Sequence, residues 1–244
     1  MPTTEEMYNE SLNFIKECKN YDHMQFANTI ENIDDLPRGE LFHWIQNKSN
    51  WASLKIHAYF PLADIQKEVI DCHRFWVKHR GFESDGWESM CVHGQSLEHT
   101  GGYTESLGDY HWTELAEHCP KTVKWLKEYW GFSSYDRVRF MKLKPGGFIR
   151  PHQDSPNRKL TAFNLSIIEP SYGHEFAMEE AGLIPWQEGD IRLIDIGRKH
   201  SLVNNGTEDR IHMIIHGRYG PNTLNFINDS FKIEHEKLLL DRAQ

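Results

Sequence analysis

Between Asp136 and Tyr219 the chain breaks into short alternating or wholly apolar runs separated by Gly, Pro and Asn, and this pattern constrains the fold more than any other feature. RVRFMKL, FIRPHQDS, LTAFNLSII, GDIRLIDIG, RKHSLV and RIHMIIHG succeed one another at this spacing. Successive side chains of an extended chain point to opposite faces, so each run has one face to bury and needs neighbours to bury it against. Short strands at such intervals predict an antiparallel sandwich or barrel.

The chain before this stretch reads differently. Thr3-x-x-Glu6 fits a capping box, which predicts a helix to about Asn20. A second helix is predicted from near Pro61 to near Gly81, with Leu62, Ile65, Val69, Cys72 and Trp76 on one face. A third covers His111 to Trp130, and Gly86 to Gly94 reads as a strand. Trp44, Trp51, Tyr59, Trp87 and Tyr103 read as core rather than as a lid. Ile233 to Arg242 forms a short tail helix, whose Leu238-Leu239-Leu240 offers a face for the core or for a second copy in a homodimer. The expected organisation is a single domain over 1–244. It has a mostly helical buttress at 1–131, a barrel at 132–220 and the tail at 221–244.

Composition removes several function classes. A net charge of −9 gives no field that attracts phosphate backbones, so nucleic acid is not an expected partner. No apolar run approaches the ~20 residues that cross a bilayer, so no membrane is expected. The polar start Met1-Pro-Thr-Thr-Glu-Glu resembles neither a secretory signal nor a transit peptide. Cys18, Cys72, Cys91 and Cys119 form no CxxC and read as reduced thiols, so the expected location is cytoplasmic.

Candidate chemistry concentrates in Phe148-Ile-Arg-Pro-His152-Gln-Asp154. In a strand, His152 and Asp154 share a face, as do Arg150 and His152. A neutral imidazole with a carboxylate suits a borderline divalent metal. With 15 histidines in the chain, about one His-x-Asp arises by chance, so the pair gains meaning only from partners further along the chain. His200 ends another predicted strand 48 residues downstream, completing the two-His-one-carboxylate face of non-haem Fe(II) oxygenases. Arg210 lies ten residues further on, beyond Asn204-Asn205-Gly206.

An oxygenase that uses 2-oxoglutarate chelates the metal with one end of that molecule and must hold the distal carboxylate at the other. The planar fork of Arg matches a carboxylate in two parallel hydrogen bonds. A two-residue turn at Asn205-Gly206 would pair His200 with Ile211 and aim Arg210 outward. The connection is therefore expected to be irregular, with Gly206 at positive φ or with strands that cross between sheets. A zinc hydrolase built on the same three residues is disfavoured, since no HExxH is present. A non-catalytic, metal-binding cupin-like barrel stays open as an alternative.

Several pieces then match one family in order and spacing. They are Lys144-Pro145-Gly146 ahead of Ile149-x-Pro151-His152, Leu165-Ser-Ile-Ile-Glu-Pro170, Trp186-Gln-Glu-Gly189-Asp190, Asp195 five residues before His200, and Asn204 followed by Arg210. Over Arg139 to Tyr219 the chain resembles the aspartyl/asparaginyl β-hydroxylase family of 2-oxoglutarate/Fe(II) dioxygenases, which includes bacterial free-proline 3-hydroxylases. The resemblance implies an α+β chain with a mainly β core: a double-stranded β-helix (a cupin-like jelly roll) buttressed by N-terminal helices.

The resemblance also implies roles for particular residues. His152 and His200 match the metal histidines, and Arg210 matches the arginine for the distal carboxylate of 2-oxoglutarate. Asp154 stands where animal members have Gly and the proline-hydroxylating branch has Asp. Ala162, Asn164 and Met141 depart from the Arg, His and Ser of the animal enzymes, which makes Asn164 a candidate for the metal-proximal end of 2-oxoglutarate. Fe(II), 2-oxoglutarate and O2, with ascorbate as a stimulant, are the implied cofactors. The implied activity is hydroxylation of an unactivated C–H of an amino-acid-like small molecule, with Asp, Asn or Pro residues of a peptide as the alternative substrate. A free amino acid needs a cation for its carboxylate, and Arg139 and Arg158 are the candidates. Asp195 is placed to orient a ligand histidine.

Overall fold

A computed structural model describes residues 2–79, 84–97, 109–154 and 160–244. Its strands are β1 (Ser53–Lys55), β2 (Val77–Lys78), β3 (Ser84–Gly94), β4 (His111–Trp112), β5 (Ser134–His152) and β6 (Ala162–Ile168). They continue with β7 (His174–Met178), β8 (Gly182–Leu183), β9 (Ile191–Ile194), β10 (His200–Asn204) and β11 (Arg210–Arg218). The sheet runs β1-β9-β6-β11-β5-β10-β7-β8, with β3 also on β5 and with β2 and β4 on β3. Every pairing is antiparallel.

β5 joins the two parts of the sheet. One of its edges pairs with β3 between Val138 and Ile149. Its other edge pairs first with β11, over Ser134 to Leu143, and then with β10, over Phe148 to His152. Between these two partners the strand bends through Lys144-Pro145-Gly146-Gly147, with Gly146 at φ 75°. At the bend β3 crosses so closely that a Cβ on Gly86 would lie 2.9 Å from the Cα of Gly147. One strand therefore belongs to both layers, as the double-stranded β-helix requires.

The six helices among the described residues are α1 (Thr4–Cys18), α2 (Arg38–Asn47), α3 (Leu62–Asp71), α4 (Leu115–His118), α5 (Pro120–Trp125) and α6 (Pro221–Arg242). The capping box of α1 forms as the sequence predicts: Thr3 N donates to Glu6 at 2.7 Å, and Glu6 N donates to Thr3 Oγ1 at 3.2 Å. Its buried face, Phe14, Ile15 and Cys18, packs on Phe148, Ala177 and Val203 of the barrel wall.

Other local expectations need correction. α3 stops at Asp71, and Trp76 lies beyond it, just ahead of β2. The helix predicted over His111–Trp130 is broken. His111 and Trp112 join β3 as a strand, and Pro120, which lacks an amide donor, starts α5 instead of continuing α4. A buried Glu68 carboxylate accepts from the amides of Lys121 and Thr122 at 2.6 and 2.9 Å, which fixes that start. The described part of the first 131 residues thus supplies four strands as well as helices. The tail helix begins at Pro221, well before Ile233, because Ile227 and Phe231 are core residues. Leu238 packs on that core, whereas Leu239 and Leu240 are exposed. No helix among the described residues is long and apolar enough to cross a membrane.

The aromatic residues divide. Trp51 is core, Trp44 packs against it, Tyr59 is 61% exposed and Trp87 lines the barrel cavity. Tyr103 lies outside the described residues.

The connection from β10 to β11 is a crossing between layers, the second of the two alternatives. Gly206 is not at positive φ. It is held to glycine by proximity, since a Cβ there would sit 2.4 Å from the carbonyl oxygen of Tyr172. Asn204 ties the crossing down by donating to the carbonyls of Leu143 and Glu208, both at 2.9 Å.

Candidate active site

The pairing of β10 with β5 sets His200 directly opposite His152, and their ring centroids are 4.3 Å apart. The register then shifts, so that Leu202 faces Ile149. This bulge puts Ile149 and His152 into the same cavity and turns Arg150 away from it. Arg150 instead donates twice to Glu10 of α1, at 2.9 and 2.6 Å. Strict alternation, which places Arg150 beside His152, fails at this one extra residue.

Both imidazoles have a defined tautomer. His152 Nδ1 lies 2.8 Å from the carbonyl of Arg150, and His200 Nδ1 lies 2.9 Å from that of Arg198. A carbonyl only accepts, so each Nδ1 carries a proton and Nε2 is the nitrogen left to bind a metal. Asp154 is placed by its amide, which donates to Ile196 O at 3.2 Å, and its Oδ1 lies 3.9 Å from His152 Nε2. One ligand atom from each of His152, Asp154 and His200 lies within 4.8 Å of the other two. Burial, reinforced by neighbouring His152, pushes His200 down to about 4, so it stays neutral at physiological pH. Two imidazole nitrogens and one carboxylate oxygen that converge in this way fit Fe(II).

The cavity holds about 100 Å3. Arg210 lines it and is 1% exposed. Its Nη1 donates to His212 Nδ1, its Nε lies 3.5 Å from Glu169 Oε2, and its guanidinium sits 5.3 Å from the Trp186 ring centroid. Arg210 Nη2 is buried with no hydrogen-bond partner among the described residues, as suits a group that awaits a carboxylate. Burial pushes the Glu169 carboxyl upward, but contacts from His174, Arg210 and Ser166 outweigh it and hold it at about 2. Ser166 Oγ donates to Glu169 at 2.6 Å, and His174 Nδ1 contacts its other oxygen. Burial first, then Arg210, keeps His212 well below the ordinary histidine range, consistent with its accepting a hydrogen bond from Arg210.

The remaining candidates fall in several places. Asn164 lines the cavity, with Nδ2 3.4 Å from Ala162 O. Arg139 lines it too, whereas Arg158 lies outside the described residues. Asp195 accepts from Gly197 N at 3.1 Å and Arg198 Nε at 3.2 Å, which orders the turn whose carbonyl holds His200. Sequence reasoning gave no site role to Glu169, Trp186, His212 or Arg137, although Glu169 and Trp186 lie within the pieces that carry the resemblance and Arg137 alternates with Arg139 in RVRFMKL.

A jelly-roll barrel with a converging His-Asp-His face and a buried arginine in the same cavity defines the class of 2-oxoglutarate/Fe(II) dioxygenases. A family model described as aspartyl/asparaginyl beta-hydroxylase matches residues 62–218. The chain belongs to that family and is an enzyme of the dioxygenase class. The match extends well upstream of the stretch whose motifs first carried the resemblance.

The structure is similar to a 2OG-Fe(II) oxygenase family oxidoreductase from Burkholderia pseudomallei, at TM-score 0.49 and 10% identity, over 83% of this chain and 98% of that one. It is also similar to a prolyl-4-hydroxylase from Pseudomonas putida, at TM-score 0.45 and 13% identity, over 75% and 100% of the two chains. A cupin 2 conserved barrel domain protein from Salinispora arenicola aligns at TM-score 0.25 and 14% identity, over 36% and 66%. No curated protein matches the sequence.

Proposed function

We propose that the protein hydroxylates an unactivated C–H of a free amino acid or an amino-acid-derived small molecule, with conversion of 2-oxoglutarate to succinate and CO2. The observation that carries this reading is the meeting of three ligand atoms within 4.8 Å of one another, in the cavity that also contains the buried Arg210. His152, Asp154 and His200 would hold Fe(II), which with 2-oxoglutarate and O2 supplies the oxidising power for C–H cleavage. Arg210 receives the distal carboxylate of 2-oxoglutarate through its unpartnered Nη2, and Asn164 is the candidate for the metal-proximal end. Glu169, His212 and Trp186 keep the guanidinium aimed while it waits. Arg139 faces the substrate. The apolar walls, among them Ile149, Phe176 and Leu202, exclude water from the reacting carbon.

The decisive experiment incubates the protein with Fe(II), ascorbate, 2-oxoglutarate and a panel of the amino acids and short peptides, and scores substrate-dependent succinate. Stimulation by a free amino acid supports the proposal, and stimulation by peptides alone moves the substrate class to peptide residues. No succinate under any condition would leave the non-catalytic metal-binding barrel.

A further inference from the structure

Arg210, His212, Ile214 and His216 are alternate residues of β11, and all four line the cavity. His212 is 5% exposed and stands opposite Met141 on β5 and Ser166 on β6. One step further along β11, Ile214 stands opposite Arg139 and Asn164. His212 thus occupies the wall just beyond the level at which Arg210 grips the co-substrate.

The contact between Arg210 and His212 fixes more than the aim of the guanidinium. Arg210 Nη1 meets His212 Nδ1, and a guanidinium has only donors to offer. His212 Nδ1 must therefore accept, which leaves the ring proton on Nε2. Burial, then the charge of Arg210, keeps a second proton off the ring. This tautomer is the opposite of the one that His152 and His200 adopt, whose Nδ1 atoms face carbonyls. Those two rings turn a metal-binding nitrogen to the cavity, whereas His212 turns an N–H to it. The two nitrogens of an imidazole face nearly opposite ways. A group held by Nε2–H therefore lies across the ring from Arg210, about 7 Å from Nη1 at ordinary hydrogen-bond lengths. A carboxylate gripped by a guanidinium keeps its oxygens about 3 Å from the nitrogens that hold them. The carboxylate that Arg210 takes is thus not the group that His212 takes.

We infer that His212 is a specificity-determining residue: its Nε2–H donates to an acceptor oxygen of the primary substrate, while its Nδ1 steadies the arginine that holds 2-oxoglutarate. That oxygen belongs to a carboxylate, a carbonyl or a hydroxyl. An ammonium has no lone pair for an N–H, and the nearby Arg210 repels it from this position. The inference rests on the oxygenase reading above and gives it a substrate contact.

The test uses the full chain loaded with Zn(II), a redox-inert stand-in for Fe(II). Nuclear magnetic resonance of isotope-labelled histidine reads the tautomer in the unmodified protein. His212 should carry its proton on Nε2, and Arg210→Met should release the ring into a mixture of both tautomers. Calorimetry then compares two substitutions that each keep one half of the ring. His212→Asn keeps an acceptor oxygen at the place of Nδ1 and has no donor at the place of Nε2. His212→Gln keeps an N–H at the place of Nε2 and loses the acceptor. The probes are 2-oxoglutarate and, on its complex, a panel of free amino acids and short peptides. His212→Asn should weaken a panel member that binds the unmodified protein by ~10-fold or more, and leave the 2-oxoglutarate Kd within ~3-fold. His212→Gln should do the reverse.

The inference is overturned if His212 carries its proton on Nδ1, or if no panel member binds the 2-oxoglutarate complex. It is equally overturned if His212→Asn weakens 2-oxoglutarate and the panel member alike, or weakens neither. Where a substituted chain does not fold, the unmodified protein still decides. The panel member should shift the Nε2–H signal of His212 more than 2-oxoglutarate does, and a larger shift with 2-oxoglutarate makes the co-substrate the acceptor instead. Failure of the unmodified protein to bind 2-oxoglutarate at all would bring down the oxygenase reading itself.

Discussion

The two ends of the cavity are built by different means. At the His152–His200 end the backbone does the holding: carbonyls of Arg150 and Arg198 fix both imidazoles, with His152 and Asp154 partly exposed and His200 buried. At the Arg210 end the side chains do it: Glu169, His212 and Trp186 surround a guanidinium that is almost wholly buried. A metal ligand needs only a lone pair in the right direction, which a local strand geometry supplies. A buried charge needs a counter-charge and hydrogen bonds, which distant segments must bring.

That contrast can be broken in graded ways. The largest effect belongs to the open end: His200→Ala should weaken Fe(II) binding by more than ~100-fold and abolish turnover. Circular dichroism should show that the fold survives, and a metal titration would check the loss. Next, Arg210→Met should raise the Kd for 2-oxoglutarate ~100-fold, or about 3 kcal/mol, with Fe(II) affinity unaltered. If metal affinity falls as well, the two ends are not independent.

Glu169→Gln sharpens the comparison, because charge and position predict opposite signs. Removing a negative charge beside Arg210 would tighten 2-oxoglutarate if Glu169 only neutralised it. A ~10-fold weakening in calorimetric titration is expected, since orientation dominates a bidentate contact. Asp195→Asn should lower metal affinity by ~10-fold without affecting 2-oxoglutarate, because it loosens only the turn that carries the Arg198 carbonyl.

The smallest effect is global. Burial, then Arg192, pushes His23 from 6.5 down to about 4. Between those values the unfolded chain takes up a proton that the folded chain refuses, so the stabilisation is complete above 6.5 and is lost as pH falls. Glu169, held at about 2 against an ordinary 4.5, acts in the same direction at lower pH. Scanning calorimetry should therefore show the melting temperature falling by a few degrees from pH 7 to pH 5, and continuing to fall below pH 4.5.

The same division explains what was legible in the amino-acid order. The His152, Asp154 and His200 ligands were readable because each sits on or beside a strand whose face follows from alternation. Arg210 was readable from the need for a distal cation, and its inward aim depended on the layer crossing after Asn204. The contact between Glu169 and His174 was not readable, because the turn containing Gly173, at φ 84°, brings them together only once folded. Arg150 departs from alternation by one bulge residue, and the helix over His111–Trp130 was overdrawn because its apolar period continued across Pro120. Arg137 was legible in principle, since its alternation with Arg139 is plain.

β3 contributes no liganding side chain, yet it covers one flank of β5 from Val138 to Ile149. Without it, that flank would be a long row of unsatisfied amides and carbonyls, a template for pairing with any other extended chain. A version trimmed to residues 132–220 would therefore keep every triad residue and still be prone to self-association. The segment with the least chemistry shields the barrel that holds the chemistry.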